Sequence, residues 1–399
     1  MNILTLSTYP IDVPMHGGQH RLSNVVSNYK KGGHTVHSVG VLGSDSYPPA
    51  KGFVSCPQVD ALSRHIENPF LMEDFSIGEL FSKEDAYFKV LAQNIETEPD
   101  VIHVEHPWLF GFAKRYVDLC SKKQVKILYG SPNIEYKLKH YNVSLYLGEK
   151  SATNAREKVL RCEMTAIMNA DAICCVSEQD RLWTRKSTTK PCVLAPNGVA
   201  ERVTTEAGIR GANAFSGGRK FALYCASAHP PNMAGFFEIF EKGVGCIAPN
   251  ERIVVAGGVG SAIQGDKRFS KTAQLSSVFV SAGLVSEPCL QGFLETAHAI
   301  ILPITQGEGT NLKTAEALWA GKHIIGTTPA FRGFEQFMSS EGVCIADEPS
   351  QFLAYVRQSM SAPPHALSLP ERDRRKTLLW DNTLQPLLGL VSQMTGDKI

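Results

Sequence analysis

The run from Ile301 to Phe331, ILPITQGEGTNLKTAEALWAGKHIIGTTPAF, constrains this chain more than any other stretch, because it alternates strand, glycine-flanked loop, helix, glycine stop and strand. Its apolar start, 300–304, is short, β-branched and bounded by Pro303 and Gly307, the pattern of a buried parallel strand. Thr310 or Asn311 stands where the next helix needs a cap, and Gly321 where a helix of that length stops. Such a loop opens at the carboxyl end of a strand, where open α/β sheets bind ligands. Two carboxylates frame it, Glu308 at the strand mouth and Glu316 within the first two helical turns. Unpaired N–H groups near Asn311 and Leu312 form an anion site suited to a diphosphate. A carboxylate accepts from two neighbouring hydroxyls at once, which suits Glu316 to a ribose diol and Glu308 to a second hydroxylated group such as a hexose. Glutamates in a first helical turn also complement the helix dipole with no ligand at all.

The same alternation runs through the chain. At 399 residues it is long enough for two domains of about 200 residues each. Residues 2–8 read as a strand, followed by a loop with Pro10, Pro14, Gly17 and Gly18, a helix from about Gln19 to Lys31 and a strand over 35–42. Further strands are predicted at Val101–Glu105, Lys126–Gly130, around 172–175 and at Cys192–Ala195, with helices over Lys83–Glu96 and Lys150–Asn169. His106 falls just past the third of these strands, at the loop end that carries Gly17 and Gly18; His103, inside the strand, is read as pointing away or buried. Residues 43–75, with four prolines, are expected to be irregular. The glycine-rich 201–218 is read as an interdomain linker, separating a domain of residues 1–200 from a second of residues 219–378. That second domain has strands near Phe221–Ser227, Arg252–Ala256, Val278–Ala282, Ala299–Ile304, His323–Gly326 and Val343–Ala346. In the tail, Ser368 and Glu371 form a capping-box pattern, and Trp380, Leu384, Leu387, Leu388 and Val391 form one helical stripe.

Two glutamates separated by seven residues and followed by Ala317-Leu318-Trp319-Ala320-Gly321 resemble the E-x7-E signature of the GT-B glycosyltransferases of family 4. The likeness extends to PMHGGQHRL, to the segment SPNIEYKLKHY, to ADAICCVSE, to Pro196-Asn197-Gly198-Val199 and to the spacing from Gly283 through Val285 to Leu290. It implies an α/β fold of GT-B architecture: two Rossmann-like, doubly wound domains facing a cleft, with a final helix over 379–399 returning to the first. It also implies a retaining transferase that moves a hexose from a nucleotide-diphosphate sugar to an acceptor hydroxyl of a glycan or glycolipid, in polysaccharide biosynthesis. On this resemblance His106 and Glu308 lie at the reacting sugar, and Arg21, Asn133 and Glu135 lie on the acceptor side. The donor is met by Gly17, Gly18, Gly283, Val285, Gly309, Thr310, Asn311, Leu312 and Glu316. The family's arginine and lysine for the diphosphate are replaced by His229 and Asn232 in SAHPPN, so Lys313 and Arg332 are the cations left to supply that charge. Other readings of the same likeness are a nucleotide-sugar epimerase or a binding subunit without activity.

Composition narrows the partners. A net charge of +1 and pI ≈ 7.6 leave no field for nucleic acid. No D-x-D occurs, so no cofactor or metal is expected; the ten cysteines form no C-x-x-C pair and read as small hydrophobes. No apolar run approaches the roughly 18 residues of a membrane span, and Met1 leads straight into a strand, which gives the expectation of a soluble cytoplasmic protein. Lys122, Lys123, Lys126, Lys137, Lys139 and His140 form a basic patch, read as a solvated face, with peripheral contact to the inner face of a membrane as the alternative.

Overall fold

The computed structural model describes residues 1–201, 203–306 and 310–396 and divides into two compact units, Met1–Pro196 with Thr383–Ile399, and Asn197–Asn382. In the first unit seven strands, β1 (Asn2–Ser7), β2 (Thr35–Val41), β3 (Phe53–Val54), β4 (Val101–Glu105), β5 (Lys126–Ser131), β6 (Ala172–Cys175) and β7 (Cys192–Leu194), form one sheet in the order β3-β2-β1-β4-β5-β6-β7. In the second, β8 (Phe221–Cys225), β9 (Arg252–Ala256), β10 (Phe279–Gly283), β11 (Ala299–Leu302), β12 (His323–Gly326) and β13 (Val343–Ile345) are ordered β10-β9-β8-β11-β12-β13. Every pairing is parallel. Central strands β4 and β11 are buried on both faces; β11 is an unbroken apolar run, whereas β4 buries His103 and Glu105 among its apolar residues. Strand order reverses between β1 and β4 and again between β8 and β11, so each unit has one crevice at its strand carboxyl ends.

Three elements depart from the expectations. The helix expected over Lys83–Glu96 is the shorter Asp85–Ala92, and an unexpected helix, Glu73–Lys83, precedes it, the two parted at Glu84 with extended backbone. No glycine or proline marks the break; it lets Phe81 and Phe88 reach different parts of the same core. The expected linker contains a helix, Glu206–Ser216, capped by Thr205 Oγ1 on the Gly208 amide and ended by left-handed Gly217. Gly208 is a packing residue, because a Cβ there would strike the Pro288 carbonyl, and one on Gly292 would strike the Gly208 carbonyl. The glycines bring this helix against Glu287–Thr296, and both belong to the second unit.

The third departure matters for the site. The helix expected to begin near Lys150 runs from Glu135 to Asn169 with a break at Gly148 (φ 78, ψ 171), backbone that only glycine adopts readily. The stretches from Gly148 back to Glu135 and on to Glu163 are each about 20 Å at 1.5 Å per residue. Glu163 accepts from the Glu135 amide at 2.9 Å, so the two arms fold back as a hairpin. The last helix, Gln385–Thr395, belongs to the first unit, where Leu384, Leu387, Leu390 and Val391 are buried and the helix packs on β6 and β7. Ser368 caps its helix as expected, although the Glu371 carboxylate turns to Arg375, and Ser177 caps helix Glu178–Arg185.

Candidate active site

In the first unit the loops after β1, β4 and β5 converge where the strand order reverses. His106, the residue after β4, holds φ 64, and its amide donates to the Gly130 carbonyl at 3.0 Å. Left-handed backbone in a non-glycine residue is strained and persists where its surroundings hold it. His106 Nδ1 lies 2.8 Å from Glu135 Oε1, which also accepts from Asn133 Nδ2 at 3.0 Å. A carboxylate only accepts, so Nδ1 carries the proton and Nε2 is the nitrogen that can meet a ligand. Burial pulls the His106 pKa down, but the Glu135 charge and hydrogen bond, with Glu105 and Asp74, lift it above the ordinary histidine value. Burial raises that of Glu135, but His106, Asn133 and Lys139 bring it below the ordinary carboxylate range.

Residues that the sequence did not assign to the site complete the cluster, among them Lys139, expected on a solvated basic face but with its side chain only 12% exposed. The Tyr9 ring meets His16 and His106 edge-on at 5.2 and 5.9 Å, and its buried hydroxyl has no partner among the described residues. A Cβ on Gly18 would press on that hydroxyl, so the glycine keeps the loop open. Burial and the neighbouring His106 hold His16 at about 4, neutral near pH 7. Lys139, one turn past Glu135, donates to Asp74 at 3.2 Å and to the carbonyl of Leu71, another left-handed residue, at 2.8 Å. Trp108 stacks on His106. Tyr9 could have been found by its place two residues after β1, and Lys139 by its i+4 spacing from Glu135.

Arg21, expected on the acceptor side, is turned into the core: it donates to Glu105 at 3.2 Å, to the Ala195 carbonyl at 3.0 Å and to Cys174 Sγ at 3.6 Å. Glu105 also accepts from His103, itself bonded to Tyr29, so His103 is the buried structural histidine. Burial would raise the Glu105 pKa, but His103 and Arg21 hold it at about 2. This network is the floor beneath the crevice.

Glu163 is fully buried and accepts from the amides of Glu135 and Tyr136. Burial pushes its carboxyl up to about 8 from 4.5, against the pull of the two amides. With the folded value raised, the stabilisation from the neutral carboxyl is complete below about pH 4.5 and is lost as pH rises to about 8. Glu163→Gln stays neutral, so its Tm is expected to gain on that of the wild type between pH 5 and pH 8. A difference in Tm that is constant across that window refutes the assignment.

The second unit brings together His229, Asn232, Lys313 and Glu316. Helix Pro230–Phe240 follows β8, and a Cβ on Gly235 would strike the Pro303 carbonyl, so it packs closely on the end of β11. Asn232 is clamped by its Nδ2 on the Ser227 carbonyl and by Tyr224 Oη on its own carbonyl, and its Oδ1 accepts from Lys313 Nζ at 2.6 Å. Burial lowers Lys313 to about 8, and burial together with Lys313 lowers His229. Lys313 lies in helix Leu312–Ala320, whose N-cap Asn311 makes no side-chain cap and turns to the Ala330 carbonyl. The Thr310 hydroxyl, just before it, is buried without a partner among the described residues. Glu316 borders a pocket of about 100 Å³ shared with Thr204, Gln291, Glu295 and Trp319. At the end of β10, Gly283 is left-handed (φ 64) with its carbonyl on the Gly257 amide, and Val285 packs on the core. Glu308 and Gly309 lie outside the described residues. Among the described residues no helix is long and apolar enough to cross a membrane, and no three His, Cys, Asp or Glu side chains are placed to hold a metal ion.

No protein-family model and no curated protein matches the chain. Solved structures do. Sucrose-phosphate synthase from Thermosynechococcus elongatus is similar at a TM-score of 0.68 and 14% identity, over 99% of each chain. A trehalose-6-phosphate protein from E. coli bound with UDP-2-fluoro glucose is similar at 0.61 and 13%, over 100% of each. WaaG, a glycosyltransferase involved in lipopolysaccharide biosynthesis, is similar at 0.61 and 13%, over 99% of this chain and 98% of that one. With two parallel α/β sheets matched over their whole length, the chain has the GT-B fold of these proteins.

Proposed function

We propose that the chain is a retaining glycosyltransferase of the family 4 type, moving a hexose from a nucleotide-diphosphate sugar to a hydroxyl of a glycan or glycolipid. The observation that carries this reading is Lys313: a half-buried ammonium, aimed by Asn232 at 2.6 Å, beside an uncapped helix start and one turn before Glu316. Ammonium and helix amides suit a diphosphate, and a carboxylate one turn on suits its ribose. Lys313 thus stands in for the cations missing from SAHPPN, which favours a working donor site over a binding subunit without activity. A solved neighbour carries a UDP-2-fluoro glucose, in keeping with a hexosyl donor. In this reading the leaving diphosphate takes the acceptor proton on the face it departs from, and no metal is needed. The first unit then supplies the acceptor side, with His106 at the reacting sugar.

The test is a melting screen against nucleoside diphosphates and their sugars, followed by donor turnover with and without EDTA. A ligand at a hundred times its Kd adds about 2.7 kcal/mol, a rise in Tm of several degrees. Turnover of the stabilising sugar nucleotide, undiminished by EDTA, is expected. A panel without a stabilising nucleotide refutes the reading, and binding without turnover favours the binding subunit.

A further inference from the structure

The hairpin 135–169 reaches the first-unit site twice. Its opening residue is Glu135, the carboxylate on His106 Nδ1; its returning arm carries Glu163, whose two oxygens accept from the Glu135 and Tyr136 amides at 2.9 and 3.3 Å. The N-cap residue Ile134 makes no side-chain cap. Elsewhere the chain caps helices with local hydroxyls, as Ser177, Thr205 and Ser368 do. Here it uses a fully buried carboxyl brought back across a bend that needs glycine at 148, a costly arrangement for a cap alone. What this arrangement controls is the backbone from which the Glu135 side chain springs. Glu135 Oε1 serves both His106 and Asn133, so a small displacement of that backbone breaks the bond that sets the His106 ring.

We propose that Glu163 is a positioning residue: by holding the Glu135 amide from the opposite arm of the hairpin, it fixes the carboxylate that orients His106 and keeps the proton on its Nδ1. The proposal rests on the functional reading above, in which His106 meets the reacting sugar through Nε2. Glu163 touches no ligand itself.

The test is an NMR titration of the His106 ring in the full chain, assigned by its loss in His106→Ala, for wild type, Glu163→Ala, Glu163→Asp and Glu163→Gln. Asp keeps the carboxyl group but is too short to reach the amide; Gln keeps the reach and an accepting oxygen but cannot ionise. In Ala and Asp the His106 pKa is expected to fall by about half a pH unit, as the Glu135 contact loosens. The kcat should drop about tenfold at unchanged donor KM, and Gln should restore both. A His106 titration unchanged in Asp while Tm falls would leave Glu163 a structural cap and overturn the proposal, as would Gln behaving like Asp. If Ala does not fold, Asp and Gln decide. The ring titration needs no turnover, so a chain that transfers no sugar would refute the functional reading separately.

Discussion

Replacing Lys313 with methionine is expected to weaken binding of a nucleoside diphosphate by about ten- to a hundredfold, the scale of a hydrogen bond to a charged group, roughly 1.5–3 kcal/mol. The larger signature is in pH. Burial holds Lys313 at about 8, below its ordinary 10.5, and a bound diphosphate would raise it again. Above about pH 8 the wild type must take up a proton to bind, so its affinity should fall by about tenfold per pH unit, whereas Lys313→Met should be flat. The sign for stability follows from the same shift. Between about pH 8 and 10.5 the unfolded chain holds more protons than the folded one, so the ligand-free protein gains stability as pH rises through that window. The variant loses this gain, and Asn232 Oδ1 loses its donor. Calorimetry at pH 7 and pH 9 measures both effects; equal affinities for wild type and variant at pH 7 would remove Lys313 from the donor site.

His106→Ala is expected to lower kcat by about 10²–10⁴, the range for a side chain that shares or donates a proton in the transition state. Glu135→Gln should cost less and act differently. With Nδ1–H given to Glu135, the ring has a proton on Nε2 only as the imidazolium, so activity that needs this donor falls as pH rises through the raised His106 pKa. Without the carboxylate charge that limb of the pH–rate profile moves to lower pH. Stability should change in step. The contribution of His106 is complete below its unfolded value, about 6.5, and is lost as pH rises through the folded one. That of Glu135 is present above its unfolded value, about 4.3, and is lost as pH falls through its depressed folded one. The pair is therefore most stabilising between about pH 4.3 and 6.5, where both contributions are complete. A Glu135→Gln profile that only scales down, with no shift of its limb, would show that the carboxylate does not set the His106 proton.

What the sequence determined by itself was the alternation. Buried parallel strands are short, β-branched and punctuated by glycine and proline, so β1, β4, β9 and β12 were legible within a residue or so, as were the glycine stop at Gly321 and the Ser368 cap. Local chemistry sufficed there, because caps and stops depend on neighbours within a few residues. Tertiary structure decided the rest. Gly208 looked like part of a linker and proved to be a close helix contact, because what a missing Cβ makes room for depends on a partner far away in sequence. Arg21 looked like a site cation and is spent on Glu105, 84 residues away, whereas Lys313 was left with the site by Asn232, 81 residues before it. Only packing can choose between two such cations, since burial and partner, not residue type, set what a charge can do. Nor could periodicity show that the helix ending at Asn169 begins at Glu135 and doubles back at Gly148, since the hydrogen bond from the Glu135 amide to Glu163 joins positions 28 residues apart.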